Sequence, residues 1–118
     1  MTTLKFEKKR AFLKTFNVAG FQYHEGSMVF DKLALGIQVY MQPEFDNRHD
    51  HNAIAIFYVD PETEEGYQIG YVPRHENELL ATFFEMKQDD IFELRIARLD
   101  PEAHYNNQVQ VNLYLKKR

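Results

Sequence analysis

The run Ala53-Ile54-Ala55-Ile56-Phe57-Tyr58-Val59 does most to limit what this chain can fold into. It is the clearest strand in the sequence, rich in the β-branched and aromatic residues that favour a pleated surface. Asp60-Pro61-Glu62-Thr63-Glu64-Glu65-Gly66 follows as an acidic, turn-rich loop, and Tyr67 to Val72 returns as the hairpin partner. Two polar corners flank this hairpin. Pro43-Glu44-Phe45-Asp46-Asn47-Arg48-His49-Asp50-His51-Asn52 leads into it, and Ile69-Gly70-Tyr71-Val72-Pro73-Arg74 closes it with a cation.

The rest of the chain supplies neighbours for that hairpin. Phe12 to Phe21 alternates well enough for a first strand. Met28, Val29, Leu33 and Leu35 suggest a short helix or irregular turn ending at Gly36. Ile37 to Met41 reads as a strand that Pro43 stops, because proline has no N–H to give a ladder. A helix is expected from about Glu76 to Met86, with Leu79, Leu80, Phe83, Phe84 and Met86 as its apolar stripe. Ile91 to Leu99 and Val109 to Leu115 alternate and form a closing hairpin. This order predicts a mainly β domain with one α-helix, a small antiparallel barrel whose ligands sit across strand ends and loops. Residues 1–11 are expected to be a basic lead-in and 12–118 the domain itself.

Composition narrows the functional classes. The chain has 118 residues, 44% of them hydrophobic, with ten Phe and seven Tyr, which is enough for a core and argues against disorder. It has no cysteine, which excludes disulfides, Cys-ligated zinc and a thiol nucleophile. No apolar stretch approaches the ~18 residues of a membrane span. The polar N-terminus lacks a signal peptide's apolar region, so a soluble cytoplasmic protein without membrane contact is expected. The net charge of −4 counts against a nucleic-acid binder taken as a whole. The charge is unevenly placed, however. Lys5, Lys8, Lys9, Arg10 and Lys14 face only Glu7 near the start, and Lys116-Lys117-Arg118 ends the chain, which leaves an acidic centre. If the two ends meet, the protein is bipolar; solvated tails are the simpler reading.

Catalytic patterns are weak. The glycines are scattered, so no phosphate-cradling loop exists for ATP hydrolysis, and Ser27 has no Gly-x-Ser-x-Gly setting. Glu44, Asp46, His49, Asp50 and His51 are suitable metal-ligand types, but their spacing in an extended segment points alternate side chains apart. Asx-turns, in which Asp and Asn bond the local backbone, explain the loop better. Asn52 is expected to bridge the loop with its amide. A carboxylate at a strand entry, as at Asp50, either caps backbone amides or accepts a hydrogen bond from a ligand hydroxyl. Arg74 is a solvated cation or a phosphate contact. Phe21, Tyr23 and Tyr71 are packing aromatics or base-stacking surfaces, stacking being worth ~1–3 kcal/mol per base.

The stretches Val18-Ala19-Gly20-Phe21-Gln22-Tyr23, Pro43 to Ile54 and Ile69 to Arg74 together resemble the HIRAN domain family, whose pattern includes Asp-x-Asn-Ala-Ile and Gly-Tyr-x-Pro in this order and spacing. The resemblance spans about residues 12 to 115 and implies an OB-like β-barrel. In fork-remodelling helicases such a domain captures the 3′ end of single-stranded DNA. By position, Tyr23 would stack on a base, Asp50 would accept the 3′-hydroxyl, Asn47 and His49 would line the pocket, and Arg74 would meet a phosphate. Tyr71 stands where DNA-binding members use His. Gln22 replaces an Arg, removing a phosphate cation, and His24 replaces a second aromatic. A histidine restores charge only at mildly acidic pH. Pro43, Phe45 and Arg48 also depart from the usual loop residues. The implied function is a non-catalytic, cofactor-free module for DNA repair that binds single-stranded DNA 3′ ends beside a helicase or other DNA-processing protein. A protein-interaction module on the same barrel and a metal-dependent nuclease accessory domain are the alternatives.

Overall fold

A computed structural model describes residues 8–118. Six strands form one antiparallel sheet: β1 (Arg10–Asn17), β2 (Gln38–Pro43), β3 (Ile54–Val59), β4 (Gly66–Tyr71), β5 (Phe92–Leu99) and β6 (Val109–Lys116), in the order β1-β6-β5-β2-β3-β4. Two α-helices join them: α1 (Gly26–Val29), one turn long, and α2 (Arg74–Glu85). The sheet has two ends, β1 and β4, and among the described residues no paired-strand ladder joins them. Among the described residues the gap is crossed by the isolated Ala19–Tyr71 bridge, in which each residue's N–H donates to the other's carbonyl at 2.8 Å. β1 begins at Arg10, so the expected lead-in overlaps the strand at Arg10 and Ala11; its residues 1–7 lie outside the described residues.

The strand pattern follows the sequence period. In β6, Val109, Val111 and Leu113 are buried while Gln110 and Asn112 are half-exposed, the alternation of a sheet with one covered face. β3 is different: Ile54, Ala55, Ile56 and Tyr58 are all buried, so this central strand is covered on both faces. Pro43 does end β2, as its last residue, opposite Ile54. The expected first strand to Phe21 is shorter. The chain leaves β1 at Asn17 and turns through Gly20, at φ 70°, into a single 3₁₀ turn, Phe21–Tyr23. Phe21 then packs edge-to-face on Phe30, below α1.

The helix stripe needs correcting. α2 starts two residues earlier than expected and buries Asn77, Leu80 and Ala81, with Phe84 packed against the core. Leu79 and Met86, expected inside, are 70% and 66% exposed. Positions 77, 80, 81 and 84 are the i, i+3, i+4, i+7 row that one helix face presents to a neighbour, and here that row carries an asparagine. Among the described residues no helix is long and apolar enough to cross a membrane.

Candidate nucleic-acid interface

Three chain junctions converge on one cavity of about 390 Å³. The exit from β1 supplies Ala19, Gly20, Tyr23 and His24. The β2–β3 loop supplies Asn47, His49, Asp50 and Ala53, and the β4–α2 junction supplies Tyr71, Val72, Arg74 and Asn77. The backbone fixes these junctions to one another. Besides the Ala19–Tyr71 pair, Val72 donates to the Ile54 carbonyl at 2.9 Å and Glu44 donates to the Ala53 carbonyl at 2.8 Å. Pieces of chain far apart in sequence are therefore tied together around the pocket.

The β2–β3 loop is wound by its own side chains. Asn47 Oδ1 accepts from the N–H groups of His49 (2.9 Å) and Asp50 (3.0 Å), and Asp50 Oδ1 accepts from the Asn52 N–H (3.0 Å). These are the Asx-turns expected of the loop. Asn52 serves it through its backbone N–H. Glu44 Oε1 accepts from both the Asn47 amide (3.0 Å) and the Tyr71 hydroxyl (2.9 Å), so one carboxylate ties the loop to β4. Tyr71 is also held by His24, whose ring meets it edge-on at 5.2 Å.

Asp50 is the best-anchored charge in the cavity. Its Oδ2 accepts from the buried Asn77 amide at 2.9 Å and lies 3.7 Å from Arg74 Nε. The Asn77 donor, with the Asn52 N–H and the Arg74 charge, holds the Asp50 carboxyl below its ordinary value, against the burial that would raise it. Its side chain is still 19% accessible. A carboxylate offers about four lone-pair sites and these two amide bonds take two, so capacity for a ligand hydroxyl remains. Arg74 is a different kind of cation. It is 74% exposed, and its terminal nitrogen donates to the His49 carbonyl at 3.1 Å. A pair so exposed contributes little stability, and the guanidinium keeps most of its donors free.

Seven of the eight residues singled out in the sequence line this cavity: Tyr23, His24, Asn47, His49, Asp50, Tyr71 and Arg74. Gln22 does not. It lies half-buried in the 3₁₀ turn, where its Oε1 is enclosed without a hydrogen-bond partner. Tyr23 is 79% exposed, a ring held at the cavity mouth rather than packed. Sequence reasoning missed Asn77. Its only signal is its register, three residues before Leu80 and seven before Phe84, which places a polar group on the buried face. Among the described residues no group of three or more His, Asp or Glu side chains could hold a metal ion.

Asn77→Ala leaves Asp50 Oδ2 without its shortest donor. A hydrogen bond to a charged group is worth about 2 kcal/mol, and the variant should lose that much stability near neutral pH. The sign with pH follows from the lowered folded-state pKa of Asp50. The carboxylate's contribution is present above the unfolded value and is lost as pH falls through the folded one. Denaturant titrations of the two proteins should therefore converge in acid. A gap that stays constant with pH would mean that the loss is packing alone.

The sequence model of the HIRAN domain matches residues 13–118. No curated protein sequence matches the chain. Two crystal structures resemble it. One is a protein from Lactobacillus plantarum, at 24% identity and TM-score 0.72, covering 92% of this chain and 97% of that one. The other is the HIRAN domain of human HLTF, at 18% identity and TM-score 0.56, covering 95% of this chain and 84% of that one.

Proposed function

The chain belongs to the HIRAN domain family, and from that premise we propose that it is a nucleic-acid-binding module that takes the free 3′-hydroxyl end of single-stranded DNA and performs no chemistry of its own. The observation that carries this reading is the Asp50 carboxylate, held by Asn77 and Asn52 inside a cavity whose mouth bears the exposed Tyr23 ring and the Arg74 guanidinium. A terminal nucleotide offers three groups to match: a base to stack, a phosphate to pair and a hydroxyl to donate. Tyr23 stacks the base, Arg74 meets the phosphate, and Asp50 accepts from the hydroxyl. Asn47, His49, His24 and Tyr71 shape the walls. Gln22 lies outside the cavity lining, in the turn that presents Tyr23.

In this reading the binding domain is residues 12–118, an OB-like barrel with the Ala19–Tyr71 bridge as its seam. It would deliver end recognition to a helicase or other DNA-processing protein in cytoplasmic DNA repair. One cation in the lining makes a weak electrostatic contact, so the end-specific hydrogen bond has to supply the selectivity.

Fluorescence anisotropy with a short single strand tests this. A 3′-phosphate brings charge against Asp50 and removes the hydroxyl donor, so it should bind at least ~10-fold more weakly than the 3′-hydroxyl form, the loss of one charge-assisted hydrogen bond. Equal binding of the two ends would reject end recognition.

A further inference from the structure

We propose that the basic end of the β1–β6 ladder is a second nucleic-acid contact, a phosphate-binding patch for the body of the strand whose terminus occupies the cavity. The inference rests on the end-binding reading above. The antiparallel register sets Arg10 opposite Lys116 and Ala11 opposite Leu115, and beyond them the Lys117 N–H donates to the Lys9 carbonyl at 2.9 Å. The described parts of both basic termini are thus one structure. Lys8, Lys9, Arg10, Lys116 and Lys117 share a shallow groove of about 220 Å³ with Ala11 and Leu115, and no acid lines it. Arg10 is occupied: it pairs with Glu93 at 3.4 Å and stacks over the Tyr114 ring at 4.4 Å. Lys8, Lys9 and Lys116 therefore set the sign of the patch, in a chain whose net charge is −4. Like charges at this density repel one another, and a polyanion relieves that repulsion.

Part of the patch looks along the face that leads toward the cavity. Residues opposite each other, or two apart on a strand, share a face. Ala11, Leu115 and the Lys9–Lys117 pair therefore lie on the face that carries Leu113, the face α2 covers. Lys8, Arg10 and Lys116 lie on the other face, so the patch wraps around the end of the ladder. A larger groove of about 640 Å³ runs there between β1 and α2, lined by Leu13, Lys14 and Leu113 from the sheet and by His75 and Leu79 from the helix. His75 is next in sequence to Arg74 of the cavity. Lys14 pairs with Glu76 in this groove and Glu78 is left over, so the groove itself is net acidic and the positive charge lies beyond it, in the patch. From Ala19 at the cavity to Lys9 is roughly 30 Å at the strand rise. At the ~3.4 Å per nucleotide of a duplex strand this is about nine nucleotides, and fewer when extended. A polynucleotide fits the two contacts because it carries a phosphate wherever a cation waits, at Arg74 and at the patch, and can bridge the groove between them.

The test uses the full chain and a Lys8→Gln/Lys9→Gln/Lys116→Gln variant, titrated over several salt concentrations with a 3′-hydroxyl trinucleotide and with a ~15-nucleotide strand that spans both contacts. The trinucleotide should bind both proteins equally, since the patch lies well beyond the ~10 Å screening length, and that result also reports an intact fold. The longer strand should bind the variant more weakly, with the slope of log K against log salt reduced by about 2, the ~0.7 per phosphate contact of a single strand taken over three lysines. An unchanged slope overturns the patch, as does a loss that falls equally on the trinucleotide. Poly-glutamate bound by the wild type and released by the variant would assign the patch to an acidic protein and overturn the proposal as well. Wild-type protein that ignores the trinucleotide would sink the end-binding reading alone, and the longer strand's slope would still judge the patch.

Discussion

Gly70→Ala is expected to cost roughly 3–5 kcal/mol, combining an overpacking cost of 1–3 with a backbone-strain cost of similar size. Gly70 sits at φ 152°, in a region that L side chains rarely adopt, where the β3–β4 register shifts. A Cβ there would lie 2.5 Å from Val18 Cγ1 and closer still to the Ala19 carbonyl oxygen. Val18 is fully buried, and the Ala19 carbonyl is half of the bridge to Tyr71, so neither can move aside cheaply. The glycine thus lets β4 approach the exit of β1 closely enough to form that bridge, and the bridge forms one wall of the cavity. At ~4 °C per kcal/mol for a domain of this size, the melting temperature should fall by about 12–20 °C. Gly36→Ala is the control. Gly36 also has positive φ, 85°, but a Cβ there meets nothing within 4 Å. Its penalty should be strain alone, about 1–2 kcal/mol. Equal losses in the two variants would show that the close approach at Gly70 is not what the glycine provides.

The strands were readable because their physics is local. Val109, Val111 and Leu113 repeat every second residue, and the structure buries all three. The run at 53–59 is apolar throughout, and β3 is covered on both faces. The helix was readable as a helix, and its buried face only in part, through Leu80 and Phe84. Five large apolar residues were expected to mark the stripe, whereas α2 packs through Asn77, Leu80, Ala81 and Phe84 and leaves Leu79 and Met86 in solvent. Side-chain size misleads when a helix lies at a groove and only a narrow row reaches the core. Asn77 was therefore overlooked, although it fixes the central carboxylate. The cavity residues were found through a family pattern of spaced loop residues, which no periodicity could have supplied. Gln22 shows the limit of that transfer: in a 3₁₀ turn, neighbouring residues point about 120° apart, so Tyr23 lines the cavity and Gln22 does not. The basic termini carried no hint of whether they met. Register decides that, and register is set by pairing along the whole ladder.

Asp50→Asn separates the two roles that the sequence left open for this carboxylate, anchoring the loop and receiving a ligand. The substitution keeps the shape of the side chain, and its Oδ1 can still accept from the Asn52 N–H. The other oxygen becomes an NH₂ group facing the Asn77 amide, and Asn77 relieves that conflict by turning its own amide over, since its oxygen and nitrogen ends are nearly the same size. The fold should therefore survive with a modest loss, about 1 kcal/mol for exchanging a charged hydrogen bond for a neutral one. Binding should change far more. The charged acceptor for the 3′-hydroxyl is gone, an effect of ~1.5–3 kcal/mol, or about 10–100-fold in affinity. The change should also be selective. Removing a negative charge beside Arg74 eases the approach of any phosphate, so a 3′-phosphate strand should bind the variant as well as, or better than, it binds the wild type. Anisotropy with both oligonucleotides against both proteins reads the whole cycle: a preference for the 3′-hydroxyl in the wild type that disappears in the variant. If the two ends instead weaken by the same factor, Asp50 only anchors the loop, and the amide bonds of Asn52 and Asn77 account for all of its geometry.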